Sequence, residues 1–425
     1  MVEKIDRRDV LRGAGAAGLV AMAGCAGNGD GNGGNGNGNG GADDTGFEAR
    51  VGVLLPETGD LGPLGETMRD GALLAADTIN DADVDVSVDY QVEDTQTDPQ
   101  AGISGAEALV SAGYPAVVGS ASSNVNLQVS PEVFVPNGVV GMSPSSTAPA
   151  VTTLEDNGYI FRTAPSDALQ GPVMADVAVD QLGASTSGTL FLNDAYGQAL
   201  EETYVDGFEE RDGQVENRVS FEPEQASYSS QWGEVLNDNP DVVMIVGFPQ
   251  SGIQLFRDFY QEFASDHEDV DLIVPDGLID DGLPGEVDND MANVVGTSPS
   301  AAGPGADFFE DAYEDAYGSS PQVFNAQSFD AMAVLTLAAV SAGENEGSAV
   351  RDNVRTVANP DGEEVGPENI AEAAQMVADG EEVNYQGASS SVDFDENGDM
   401  RAVSYGIFEV QNREFEQTDR IDFEN

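Results

Sequence analysis

The chain has 425 residues, of which 78 are Asp or Glu and 15 are Lys or Arg, giving a formal net charge of −63 at neutral pH. That surplus, with no basic patch along it, excludes nucleic-acid binding, and hydrophobic residues at 40%, spread among the acids, exclude a disordered acidic tail. A single cysteine excludes an internal disulfide framework, so the body must be held by its own core. Lysine occurs once, at Lys4. A carboxylate-rich, lysine-poor surface is the one expected of an extracellular protein working in concentrated salt, where the Debye length falls to about 3 Å and self-repulsion is screened.

The first elements concern export. Arg7-Arg8 precedes a small apolar stretch at 13–23, which ends Met22-Ala23-Gly24-Cys25 and runs into a Gly/Asn tract at 26–41. A positive start, a short apolar run and small residues at the cut point make a secretory signal, and the paired arginines point to the twin-arginine route. The apolar run is too short to span a bilayer core of roughly 30 Å. Cys25 stands where the lipobox of exported lipoproteins puts the residue to be lipidated, a resemblance that departs only in having Met22 where Leu is usual. The expectation is a signal peptide at 1–24, a lipid anchor at Cys25, and a flexible tether at 25–46 on the outer face of the cell membrane.

From residue 47 onward, short apolar runs alternate with helical periodicity. Strand 49–55 precedes helix 68–79; strand 84–92 precedes helix 103–112; strand 116–118 follows. A second series has strand 189–192 and helix 196–210, strand 242–246 and helix 253–263, then strand 272–274. Such alternation predicts an α/β fold with parallel sheets covered on both faces. The break between the series near 162–172 suggests two similar lobes, for which the length suffices. In open α/β sheets, ligands sit beyond the carboxyl ends of the strands. Those ends carry Gly119-Ser120-Ala121-Ser122-Ser123-Asn124, Ser143-Pro144-Ser145-Ser146-Thr147, Asn193-Asp194-Ala195-Tyr196-Gly197, Gly247-Phe248-Pro249 and Pro275-Asp276-Gly277.

Taken with Met68-Arg69-Asp70-Gly71-Ala72, Glu93-Asp94-Thr95, Phe161-Arg162-Thr163-Ala164-Pro165-Ser166-Asp167 and Asp393-Phe394-Asp395-Glu396-Asn397-Gly398-Asp399, the chain resembles the branched-chain amino acid type of substrate-binding protein that feeds ABC importers. The likeness runs from 47 to about 410. It implies two doubly wound parallel-sheet lobes joined by a three-strand hinge, a type I periplasmic-binding fold. Lobe one would hold 47–163 and 297–385, and lobe two 164–296 and 386–425. The lobes would close on a small amino acid without covalent chemistry and present it to a permease, with no cofactor.

The same resemblance implies site residues. Ser123, Ser145 and Thr147 match positions that hold the ligand carboxylate, which accepts several charge-assisted hydrogen bonds. Asp276 matches the acid that faces the ammonium, where the family more often has Glu. Tyr196 matches the ring closing over the ligand backbone, Phe248 a second aromatic of the same lobe, and Leu64 a contact to the ligand side chain. Ser122 and Ser146 read as cap and turn residues.

Other signals carry less. Asp393-x-Asp395-x-Asn397 opens like a calcium loop, but its twelfth position is Ser404 rather than a bidentate Glu, and Asn-Gly between apolar runs is a hairpin turn. His267, the only histidine, lies in an acidic run and supports no catalytic triad, zinc motif or phosphate loop. The sequence leaves three readings: an importer's amino-acid binding protein, the same class binding an amide, urea-like compound or carboxylate, and a sensory module docking on a transmembrane receptor.

Overall fold

The computed structural model describes residues 46–359 and 361–424, so the predicted signal peptide, Cys25 and nearly all of the tether lie outside the described residues. Near-continuous apolar runs become strands buried on both faces, as parallel sheets require. In β1 (Phe47–Leu55) Val51, Val53, Leu54 and Leu55 have no exposure. With it pair β2 (Val86–Asp89), β3 (Val92–Asp94) and β4 (Ala116–Gly119), and beyond β4 come β5 (Val140–Ser143) and β6 (Ile160–Arg162). Every pairing in this first sheet is parallel, in the order β2-β1-β4-β5-β6 with β3 also on β1.

The second sheet begins with β7 (Thr186–Leu192), β8 (Gln214–Phe221), β9 (Val242–Val246), β10 (Asp271–Pro275) and β11 (Val294–Pro299), again parallel. A small parallel pair, β12 (Glu363–Val365) and β13 (Val383–Tyr385), stands apart. The two parallel sheets are those expected, and the second gains an antiparallel addition at the carboxyl end. There β14 (Ala402–Gln411) and β15 (Glu414–Glu424) form a hairpin that extends the second sheet antiparallel to β11, in the order β15-β14-β11-β10-β9-β7-β8. Asn412 and Arg413 both take positive φ, 54° and 69°, which is the two-residue turn whose twist matches paired strands. Charged residues along β15 suit an edge strand.

Helices begin where side chains can satisfy their first N–H groups. Asp98 Oδ1 accepts from Ala101 N at 2.9 Å to start the helix Pro99–Ala112, and Asp194 Oδ1 accepts from Gly197 N at 2.8 Å to start Ala195–Glu209. The helix Asn325–Ala342 is buried from Asn325 to Val340 and packs against Gly62–Asn80. At their contact a Cβ on Gly71 would stand 2.4 Å from the Asn325 carbonyl oxygen, so only glycine permits the approach. Among the described residues, no single helix is long and apolar enough to cross a bilayer.

The chain leaves the first sheet after Arg162, returns to helices packed on that sheet after Pro299, and crosses again between Tyr385 and Ala402. Buried polar bonds pin these crossings. Thr163 Oγ1 donates to the Gln327 carbonyl at 2.8 Å, and the Asp330 carboxylate accepts from Tyr385 OH, Ala388 N, Ser389 N and Ser389 Oγ at 2.5–2.9 Å. The acid run at 393–399 folds as the expected turn: Asp395 Oδ1 accepts from Asn397 N and Asp399 N, and Phe394 bridges Met400.

Candidate ligand-binding site

Between the carboxyl ends of the two sheets lies a cavity of about 10 Å³, room for about one water molecule. The first sheet contributes Ser122 and Ser123 after β4 and Ser145 after β5; the second contributes Tyr196 after β7, Phe248 after β9, and Asp276 and Gly277 after β10. Ser123, Ser145, Tyr196, Phe248 and Asp276 are therefore brought together. Leu64 and Thr147 do not line the cavity. Leu64 is buried in the helix Gly62–Asn80, and its neighbours Leu61 and Met68 supply the apolar wall instead.

The serine wall is shaped from behind. Ser143 Oγ donates to the Ser120 carbonyl at 2.6 Å and accepts from Ser146 N at 2.9 Å, while Ser123 Oγ accepts from Ala148 N at 3.2 Å. Arg162, with no exposure, donates through Nη1 to the carbonyls of Ser146, Thr147 and Ala148 at 3.1–3.2 Å. Its Nε and Nη2 grip Asp399 at 2.6 and 3.0 Å, and Nη2 also reaches Thr152 Oγ1 at 2.6 Å. A buried guanidinium is tolerable when every donor is engaged in this way. The consequence is a loop whose carbonyls are spent on Arg162. The hydroxyls of Ser122 and Ser145 have no hydrogen-bond partner among the described residues. Ser122 occupies the cap position of the helix Ser123–Val129 but makes no capping bond, and it lines the cavity instead of serving as the cap expected.

The opposite wall is acidic. Tyr196 stacks on Phe248 with ring centroids 5.3 Å apart and planes 7° from parallel, and its hydroxyl donates to Asp276 Oδ2 at 3.3 Å. Gly277 must be glycine, because a Cβ there would meet the Gly247 carbonyl oxygen at 2.5 Å and crowd both rings. Among the described residues Asp276 Oδ1 has no hydrogen-bond partner of ordinary geometry, and burial, ahead of the opposing effect of the nearby Gln170 side chain, raises this carboxyl to about 6. Behind it Asp167 is wholly buried. Its Oδ2 accepts from Thr147 Oγ1 at 3.0 Å, its Oδ1 is also unpartnered, and burial followed by the charge of Asp276 pushes it well above the usual carboxylate range. Thr147 thus bonds Asp167 rather than lining the cavity.

No sequence signal marks Asp167, Gln170 or Phe324 as a site residue. Asp167 lies in a motif that marked the resemblance without giving it a role. Gln170 is buried, donates to the Thr297 carbonyl at 2.9 Å, and leaves its Oε1 unpartnered. Phe324 closes the apolar side of the cavity from a backbone at φ +67°, a strained conformation for a bulky residue that no local sequence signal announces.

Residues 48–390 match the periplasmic binding protein family. The chemotactic signal transduction system substrate-binding protein BasB of Halobacterium salinarum is 27% identical over 362 residues, covering 82% of this chain and 84% of that protein. The fold is that of the leucine binding protein LivK of Thermotoga maritima, with a TM-score of 0.74 at 24% identity over 88% of this chain and 98% of the other. A solute binding protein of R. palustris in complex with benzoate follows the same fold, with a TM-score of 0.69 at 16% identity over 88% and 97% of the two chains.

Proposed function

Because the chain belongs to the periplasmic binding protein family, we propose that it captures a small amino acid, of the branched-chain kind foremost, between two closing lobes outside the cell and delivers it to an ABC permease. One observation carries this reading: unpartnered hydroxyls of Ser122 and Ser145 stand on one wall and an unpartnered oxygen of Asp276 on the other. A zwitterion matches that polarity, its carboxylate accepting from the serines and its ammonium facing Asp276 once the walls move apart from their present one-water spacing to admit it. Leu61, Met68 and Phe324 offer apolar contact to an aliphatic side chain. The leucine named for LivK agrees with this ligand class. A benzoate, as in the R. palustris protein, brings a negative charge and no cation to a site where Asp167 and Asp276 already raise each other's cost of ionisation, so the amino acid is favoured.

The test is calorimetric titration in concentrated salt with leucine, an uncharged amide analogue and benzoate. Removing one partner of a buried charge pair costs about 2–5 kcal/mol, so Asp276→Asn is expected to weaken leucine binding by roughly 30-fold or more and to leave the amide untouched. Equal leucine binding by the variant would remove the ammonium assignment.

A second reading, a sensory module docking on a transmembrane receptor, is favoured by the chemotactic name and long coverage of BasB. In either reading the lobes are 47–163 with 297–385 and 164–296 with 386–425, and Cys25 is the lipid attachment point. Cys25→Ser should release folded protein into the medium; retention on the membrane would count against the anchor.

A further inference from the structure

The helix Pro249–Asp258 follows β9 and starts without help from its own segment. Phe248 holds its cap position with extended backbone (φ −122°, ψ 164°), and no side chain of that segment caps it. Phe248 cannot serve, because its phenyl ring carries no hydrogen-bond acceptor; the ring instead stacks on Tyr196. Helix starts leave N–H groups that need an acceptor, and here the acceptor comes from across the cleft. Asp60, between β1 and the helix Gly62–Asn80 on the side of the first sheet, accepts from Ser251 N through Oδ1 at 2.7 Å, and its carbonyl accepts from Gln250 N at 3.3 Å. The residue retains 4% of its exposure.

Asp60 is also held rigidly from behind. Asp94 Oδ1 accepts from Glu57 N and Thr58 N at 2.9 and 3.2 Å, its Oδ2 accepts from Thr58 Oγ1 at 2.6 Å, and Thr97 Oγ1 accepts from Leu61 N at 3.0 Å. The next residue, Leu61, lines the ligand cavity. On the helix side, Ser251 Oγ accepts from Glu224 N at 3.0 Å, which ties the neighbouring loop to the same contact. Two preformed surfaces therefore meet at one carboxylate.

We propose that Asp60 is the latch of the closed state: a positioning residue that touches no ligand but completes the Pro249–Asp258 helix in trans, so that closure of the lobes adds its own favourable contact to ligand capture. The idea rests on the reading that the lobes open and close. Swinging apart would strip the helix of its cap; the gains of an acceptor and of the helix dipole at that helix start are set against the cost of burying Asp60, whose Oδ2 has no partner among the described residues and whose carboxyl burial raises to about 6, so the latch holds most firmly below that pH. Closed lifetime is the quantity that should suffer when the latch is removed.

The sole cysteine makes the experiment direct. In a Cys25→Ser background, spin labels at the exposed positions Glu66→Cys and Ala226→Cys report the gap across the cleft, and stopped-flow fluorescence reports leucine dissociation. Asp60→Ala is expected to move the ligand-free and leucine-loaded distance distributions toward wider gaps. It should speed leucine dissociation by about 5- to 30-fold, the ratio that losing a cap contact implies. Asp60→Asn keeps an oxygen able to accept from Ser251 N and should restore most of the parent's distances and rate. The thermal midpoint of ligand-free protein should fall in Asp60→Ala by no more than the loss of one cap contact allows, and hardly at all in Asp60→Asn. Unchanged distances in Asp60→Ala, or equal loss of thermal stability in the Ala and Asn variants, would overturn the latch. A parent that ignores leucine would fail the ligand assignment instead, and the label distances would then decide the latch alone.

Discussion

Arg162 and Asp399, 237 residues apart in the chain, meet in a two-bonded ion pair, Nε to Oδ1 at 2.6 Å and Nη2 to Oδ2 at 3.0 Å. The pair ties the first crossing between the sheets to the third, and the remaining Arg162 nitrogen holds the carbonyls of 146–148 behind the serine wall. Hinge and site are thus built around one guanidinium.

Breaking the pair should be costly. Asp399→Asn leaves a fully buried cation facing a neutral amide, and removing one partner of a buried pair costs about 3–5 kcal/mol. Because Asp399 keeps some solvent contact, the lower figure is expected. Arg162→Lys should do as much, since one ammonium cannot span acceptors arranged for a planar fork. Denaturant titration of ligand-free protein measures both; a loss below about 0.5 kcal/mol, the scale of a surface substitution, would mean that the crossings are held elsewhere.

Asp276 should show a trade between stability and binding. Its carboxyl lies at about 6 against an ordinary 3.8, burial being the main cause. A carboxyl raised on folding contributes stability that is complete below its unfolded value and is lost as pH rises through the folded one. At pH 7.5 the ionised group therefore destabilises the closed protein by at most about 3 kcal/mol, at 1.36 kcal/mol per unit, less whatever opening of the cleft relieves. Asp276→Asn should raise the melting temperature of ligand-free protein at pH 7.5, with the gain fading by about pH 4. Leucine binding to the parent should strengthen between pH 5 and 7, as the carboxylate forms, and stay flat in the variant. A destabilised variant at pH 7.5 would contradict the strained carboxyl.

The sequence made the parallel strands plain and hid the last two. Runs such as 116–118 and 242–246 are apolar at every position because both sheet faces are covered, a pattern little else produces. β14 alternates as a strand does, with Val403, Tyr405 and Ile407 buried, but β15 is half charged and the pair turns on Asn412-Arg413 without a glycine, so the usual hairpin signal is missing. At the site, Tyr196, Phe248 and Asp276 came from the family resemblance, and all three line the cavity beyond the strand ends. Ser122 was not legible, since a helix cap and a cavity-lining hydroxyl call for the same residue type. Asp167 was hidden among 78 acids: composition cannot tell a buried carboxylate from a solvated one. Leu64 is buried without lining the cavity, although Leu61 before it and Met68 after it do, because the spacing puts all three on one side and only packing chooses among them.

The charge excess leads to the last prediction. With 78 acidic and 15 basic side chains, folding concentrates like charge, and the repulsion is spread over exposed carboxylates that counterions can reach. Raising salt from roughly 0.1 to 2 M shrinks the Debye length from about 10 Å to below 3 Å, so the melting temperature should climb steeply over that range. Surface ion pairs such as Arg413 with Asp288 and Asp290 offset little of this, being exposed and weakened by the same screening. The Arg162–Asp399 pair is buried on its guanidinium side and should barely respond to salt. The melting curves of parent and Asp399→Asn should therefore rise in parallel, separated by a nearly constant gap. A flat parent profile would show that the acidic surface is no constraint on folding. A gap that closes with salt would show instead that Asp399 acts as one more surface charge.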